Sequence, residues 1–204
     1  MIRTGEIASG RLVLEADLVR RLGMSRTPVR EALRRLEAEG YLRPTSGRGY
    51  VVVELSHEDL FNVYRVRGAL EGLAAEHAAA RATSEDLVRL DGLYDRMSDA
   101  ANRSDDEALT RLNSEFHSAI ADVSGNTYLK SMLEDIHEVF ERFRPNAVAQ
   151  PVRRSDAHSE HGQLIRALRI GDQQLARALA EAHVRRALEL RRELVARTEE
   201  DGAL

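Results

Sequence analysis

The sequence predicts a mainly α-helical chain in two parts: a small helix, turn, helix and β-hairpin module, then an all-α antiparallel helical bundle. Three observations lead there. Helical apolar stripes broken by a glycine-centred turn fill the first forty residues, and two short β-prone runs then flank Ser46-Gly47-Arg48-Gly49. Beyond Ser56 no segment reads as a convincing strand, and apolar residues recur at helical spacing.

In the first module, Leu14, Leu18, Val19 and Leu22 form a stripe that stops at Gly23, a residue suited to the left-handed position that closes a helix. After the turn Gly23-Met24-Ser25, Thr27 before Pro28 is a start signal for a second helix, because proline at the first helical position lacks only an N–H that has no partner there. Ser25 competes with Thr27 as the capping residue. Val29, Leu33 and Leu36 carry the helix to Gly40. Residues 41–45 and 50–53 read as two strands around the glycine-bearing tip.

In the second part, Ser56 with Asp59 and Thr83 with Asp86 place a capping oxygen before, and a carboxylate within, a first helical turn. Helices are expected at about 57–81, 84–101, 105–123, 126–143, 156–170 and 172–197, with breaks at Gly125-Asn126, Pro145 to Pro151 and Gly171-Asp172. The domains are therefore expected at 1–54 and 56–197.

Composition narrows the function. The 204 residues, 43% hydrophobic and 31% charged, can bury a core and exclude a disordered chain. The sequence has no cysteine, which excludes disulfides and thiolate chemistry and leaves His, Asp, Glu and Asn as metal ligands. There is no apolar run of membrane-spanning or signal-peptide length, so a cytoplasmic protein is expected. The net charge of −4 divides unevenly. Residues 1–54 hold ten Arg against seven acidic side chains, whereas the remainder holds 20 basic against 27 acidic. Only the N-terminal module is suited to a polyanion.

Two constellations could carry chemistry. The second helix opens with Ser25-Arg26-Thr27-Pro28-Val29-Arg30, directly after the turn. In a helix–turn–helix that end enters the major groove, where Arg pairs with guanine and hydroxyls meet phosphate. A solvated basic helix that never touches DNA has the same pattern. In the helical part, His117, His161 and His183 each lie in an apolar stripe, and Asn113 shares the face of His117. Three imidazoles and a carbonyl oxygen pointing into a bundle could hold a divalent metal such as Zn, Ni or Mn. Separate core-edge histidines would look alike. His57, His77, His137 and His158 fit no cluster.

The run from Ser25 through Arg-Thr-Pro-Val-Arg-Glu-Ala-Leu-Arg-Arg-Leu-Glu-Ala-Glu to Gly40, followed by Arg48-Gly49-Tyr50-Val51-Val52, strongly resembles the winged helix-turn-helix of GntR-family transcription regulators. The resemblance implies that Ser25, Arg26, Thr27 and Arg30 contact a double-stranded operator, that Arg34 and Arg35 meet phosphates, and that Ser46, Gly47 and Arg48 belong to the wing. Ala16 stands where some family members carry an operator-contacting Arg, so that contact is missing. Only six residues precede Ile7, where the family has a full first helix, which implies that part of that helix is absent.

Val66 to Glu71, Leu112 to His117, Ser124-Gly125-Asn126, Glu160-His161 through Gly171-Asp172, and Ala182-His183 look like the FCD effector-binding domain of one GntR subfamily. That likeness implies a metal held by Asn113, His117, His161 and His183. Many relatives have Asp where Asn113 stands, and a neutral amide oxygen is the weaker ligand for a hard cation. A cation in an apolar bundle attracts a carboxylate that an Arg can clamp, so a small carboxylate or sugar acid is the expected effector. Arg67 is the leading clamp residue, with an i+4 pair to Glu71 as its equal alternative; Arg153 and Arg154 are weaker candidates.

An enzyme is not expected: HExxH and similar patterns are missing, and Glu115 and Glu160 lie about 100 to 200° around their helices from the ligands. The reading is a homodimeric regulator, by expectation a repressor, on an inverted repeat. The alternatives are a metal-responsive regulator, a metal-dependent enzyme with a vestigial winged helix, and a helical dimerisation protein with structural histidines.

Overall fold

The computed structural model describes residues 1, 6–8, 10–47, 49–53, 56–142 and 154–201. Among them it forms β1 (Leu12–Val13), α1 (Glu15–Leu22), α2 (Arg26–Ala38), β2 (Leu42–Pro44), β3 (Tyr50–Val52), α3 (His57–Arg81), α4 (Ser84–Asn102), α5 (Asp106–Val123), α6 (Thr127–Arg142), α7 (Arg154–Arg169) and α8 (Gln173–Asp201). This is the mainly α fold expected, a winged helix-turn-helix followed by helices alone. The chain divides into two compact units, Met1–Ser56 with Glu138–Ala147, and His57–His137 with Val148–Leu204.

In the first unit Gly23 adopts φ 64 between α1 and α2, as the turn requires. The helix α2 begins at Arg26 with Ser25 in the N-cap position, two residues earlier than the Thr27-Pro28 signal indicates. Pro28 is tolerated there because the first four N–H groups of a helix have no intrahelical acceptor. The strands are shorter than the β-prone runs, and a third strand, β1, joins them in the order β1-β3-β2. Leu12 pairs with Val51, and Arg43 with Val51 on the other edge. Val13, Val29, Leu33, Tyr41, Leu42 and Val52 make the core. A Cβ on Gly49 would stand 2.8 Å from Leu14 Cδ2 and 3.0 Å from the Val13 carbonyl, so β1 packs against the tip only because this residue is glycine. The expected break at Pro145 to Pro151 lies outside the described residues, as do most of the residues ahead of Ile7.

The second unit follows the expected helices to within a few residues at each end. Thr83 and Asp86 form the reciprocal capping box that starts α4. Asp105, Asn126 and Asp172 cap the following helices through their side chains, each accepting from a backbone N–H three residues on. Gly125 and Gly171 take φ 66 and 69 in the intervening turns. Helix α3 packs along α8 and touches α5 and α7, while α4 packs on α5 and α7. Ala74, Ala75, Ala78 and Ala79 keep α3 thin where it meets its neighbours, and Phe116, Leu90 and Met97 fill the centre of the core. No helix among the described residues is long and apolar enough to cross a membrane.

Candidate metal centre and nucleic-acid interface

Buried apolar stripes bring three histidines together. Leu112, Phe116 and Ile120 turn α5 inward and carry His117 to the core edge, with 12% of its side chain exposed. On α7, Leu164, Ile165 and Leu168 bury His161. On α8, Ala176, Ala180 and Val184 do the same for His183. Each imidazole offers a ligand atom within 4.8 Å of the others, a group that could hold a metal ion. The ring centroids are 4.7 to 5.3 Å apart.

Two carboxylates back the rings. His117 Nδ1 lies 2.8 Å from Glu71 Oε2, and His183 Nδ1 lies 2.6 Å from Glu160 Oε2. When each Nδ1–H donates to its carboxylate, Nε2 keeps the lone pair that a cation needs, the arrangement by which outer carboxylates orient metal-bound histidines. The Nε2 atoms of His117 and His161 are buried and have no hydrogen-bond partner. Buried polar atoms are rarely left so, and the donor set therefore fits a metal of the first transition row. Burial, then the two neighbouring imidazoles, push the His161 pKa well below its ordinary value, so His161 is neutral and able to ligate.

Arginines neutralise both carboxylates. Arg67 Nε donates to Glu71 Oε1 at 2.5 Å, and Arg186 donates to Glu160 Oε1. Although burial opposes ionisation of Glu71, Arg67 and then His117 outweigh it and hold the carboxyl well below the usual carboxylate range. Arg67 thus makes the i+4 ion pair weighed as its alternative role, and stands one carboxylate away from the histidines. A Cβ on Gly72 would stand 2.6 Å from Glu181 Cγ, so glycine lets α8 approach α3 next to Glu71. A small cavity is lined by Glu71, Ala74, Ala75, His117, Ile120, Leu133, Leu164 and Ala180.

Glu160 corrects the expectation from helical angle. It does not point away but is 8% exposed and bonded to His183. Glu115 does turn outward, 40% exposed and facing Arg96 and Arg111. Asn113 lies one turn before His117 and is half-buried. His158 stacks on Tyr94 at 3.9 Å and bonds Ser98, outside the cluster. Arg153, and the side chain of Arg154, lie outside the described residues.

In the first unit Ser25, Arg26, Thr27, Arg30, Arg34 and Arg35 are all exposed along α2 and its start, and Ser46 and Gly47 are exposed at the hairpin tip. Arg48 lies outside the described residues. Arg30 is held by Glu15 at the start of α1, and Arg35 by Glu39.

Residues 1–52 match the bacterial regulatory proteins of the gntR family, and residues 62–186 match the FCD domain. The chain belongs to the GntR family, with an FCD domain. It is 34% identical over 140 residues to the uncharacterized HTH-type transcriptional regulator YdhC of Bacillus subtilis, covering 68% of this chain and 62% of that protein. The chain thus spans about three-fifths of the length of that relative. It is 31% identical over 185 residues to a protein of Paenarthrobacter nicotinovorans named "Probable D-xylose utilization operon transcriptional repressor", covering 88% and 80%. The structure of Escherichia coli McbR/YncC superposes with a TM-score of 0.75 at 24% identity, over 95% of this chain and 92% of that one, a likeness of fold. Proteins of this family are DNA-binding transcription regulators, often repressors, and not enzymes, which removes the metal-dependent enzyme from the alternatives.

Proposed function

We propose that this GntR-family chain is a transcriptional repressor whose operator affinity is set by a small organic acid bound at a metal in the FCD domain. Asn113, His117, His161 and His183 hold a divalent Zn, Ni or Mn ion. The observation that carries the reading is the convergence of three imidazoles, two with buried unpartnered Nε2 atoms, backed by Glu71 and Glu160.

Charge balance then selects the effector. Glu71 and Glu160 are already matched by Arg67 and Arg186, and the imidazoles are neutral ligands. A divalent cation adds two positive charges among side chains no more than 12% exposed on the histidines. Buried unpaired charge is costly, so the loaded site favours an anion that brings compensating charge. A small carboxylate or sugar acid does this, with Arg67 as its clamp once the acid replaces Glu71.

In the first unit, Ser25, Arg26, Thr27, Arg30, Arg34 and Arg35 read and hold the operator, and Ser46, Gly47 and Arg48 bring the wing to the minor groove. Two copies read an inverted repeat as a homodimer, in the cytoplasm where the operator lies. An acid that binds one arrangement of the dimer more tightly shifts the operator equilibrium.

The test is metal content by plasma mass spectrometry, as purified and after chelation and reloading with Zn, Ni or Mn. Near one ion per chain is expected in the wild type, with loss in His161→Ala and His183→Ala. Failure of the folded wild type to take up any of the three at micromolar concentration would overturn the metal assignment.

A further inference from the structure

Among the described residues, Arg30 is the one candidate operator-reading arginine on α2 whose guanidinium is gripped from another element. Glu15, the first residue of α1, accepts from Arg30 Nε at 3.0 Å through Oε2 and from Nη2 at 2.9 Å through Oε1. This two-bond fork fixes the plane of the guanidinium as well as its position, which a single bond would leave free to rotate. Arg30 remains 54% exposed and Glu15 29%, so the pair lies at the surface with the carboxylate as the inner partner.

The atoms engaged matter more than the charge. A guanidinium has two edges that make paired hydrogen bonds: the side formed by Nε with one Nη, and the end formed by both Nη atoms. Glu15 takes the side. The end, with Nη1 and the outer N–H of Nη2, has no acceptor among the described residues, and it is complementary to the O6 and N7 acceptors of guanine in the major groove. The pair also lowers the net charge that Arg30 offers to any phosphate. An arginine held in this way loses attraction for the uniform backbone and keeps its directional bonds for a base edge.

We infer that Glu15 is a positioning residue for operator specificity, a buttress that aims the outer edge of Arg30 at a guanine. This rests on the reading of Arg30 as an operator contact. The alternative outcome is that Glu15 is a competitor that Arg30 must leave before meeting DNA.

The experiment is selection from a pool of random-sequence duplexes by the full-length wild type, Glu15→Gln, Glu15→Ala and Arg30→Ala, with a salt titration on the unselected pool. Circular dichroism melts confirm that each variant is folded. The wild type is expected to select a guanine that Arg30→Ala no longer selects, at a discrimination of roughly five- to 150-fold. Glu15→Ala and Glu15→Gln should lose discrimination at that same position, by at least about fivefold. They should retain the rest of the motif and bind the unselected pool as tightly as the wild type or more tightly. An unchanged motif in both Glu15 variants, or tighter binding with the guanine preference intact, would overturn the buttress while leaving the Arg30 contact standing. An unchanged motif in Arg30→Ala would instead remove the reading on which the proposal rests.

Discussion

Glu71 and Glu160 determine which nitrogen His117 and His183 present to the centre of the bundle. If that orientation matters, replacing either carboxylate by its amide weakens the metal without removing a ligand. Glu71→Gln and Glu160→Gln should each lower metal affinity by roughly ten- to a hundredfold, measured by competition with a chromophoric chelator. Affinities equal to the wild type would show that the carboxylates serve packing alone. The three histidines were legible in the sequence because each sits in an apolar stripe. Glu160 was not. A residue about 100° from His161 on an ideal helix should face elsewhere, but α7 packs against α3, α4 and α8, and a helix with neighbours on several sides buries adjacent residues together. Ser25 shows the same limit on a smaller scale: two cap signals stood two residues apart, and the backbone took the earlier one.

At the scale of elements, the helix ends carry strong local chemistry. The Thr83 box satisfies the Asp86 N–H and the Thr83 N–H reciprocally. Thr83→Ala should therefore cost about 1 kcal/mol in urea denaturation monitored by helical ellipticity, with the metal content unchanged. Deeper in the same unit, Phe116 is wholly buried against His161 and the core. Phe116→Ala should cost roughly 3 to 5 kcal/mol by the same measurement. A loss below 1 kcal/mol would mean that the core closes over the site far more readily than its packing indicates. The helices α3 to α8 were legible because apolar residues recur at helical spacing, with side-chain caps before α4, α5, α6 and α8 and glycine turns before α6 and α8. The strand β1 was not, because two residues show no periodicity and their ladder comes from pairing with β3, nearly forty positions away in the chain. Gly49→Val tests that arrangement. The added side chain meets Leu14 and the Val13 carbonyl, so DNA binding should fall while the helical unit keeps its metal.

At the scale of the molecule, the charge asymmetry of the sequence maps onto the two units: the winged helix carries the basic excess and the bundle the acidic one. Operator binding should accordingly weaken linearly in log affinity against log salt, with a slope of about one per phosphate contacted, and Arg34→Ala should shallow it by about one. The chain belongs to a family of DNA-binding regulators, and the cluster of histidines, carboxylates and arginines in the bundle supports the control that we propose for it. The measurement that bears most directly on that control is a thermal-shift screen of the full chain against small carboxylic and sugar acids, metal-loaded and metal-stripped. A ligand at a hundred times its Kd stabilises by about 2.7 kcal/mol, or roughly 5 to 11 °C for a chain of this size, which such a screen resolves. The account predicts that a few acids raise the melting temperature of the loaded protein and not of the stripped one, and that the same acids release it from a selected operator duplex. Equal shifts with and without the metal, or no shift in either state, would contradict it.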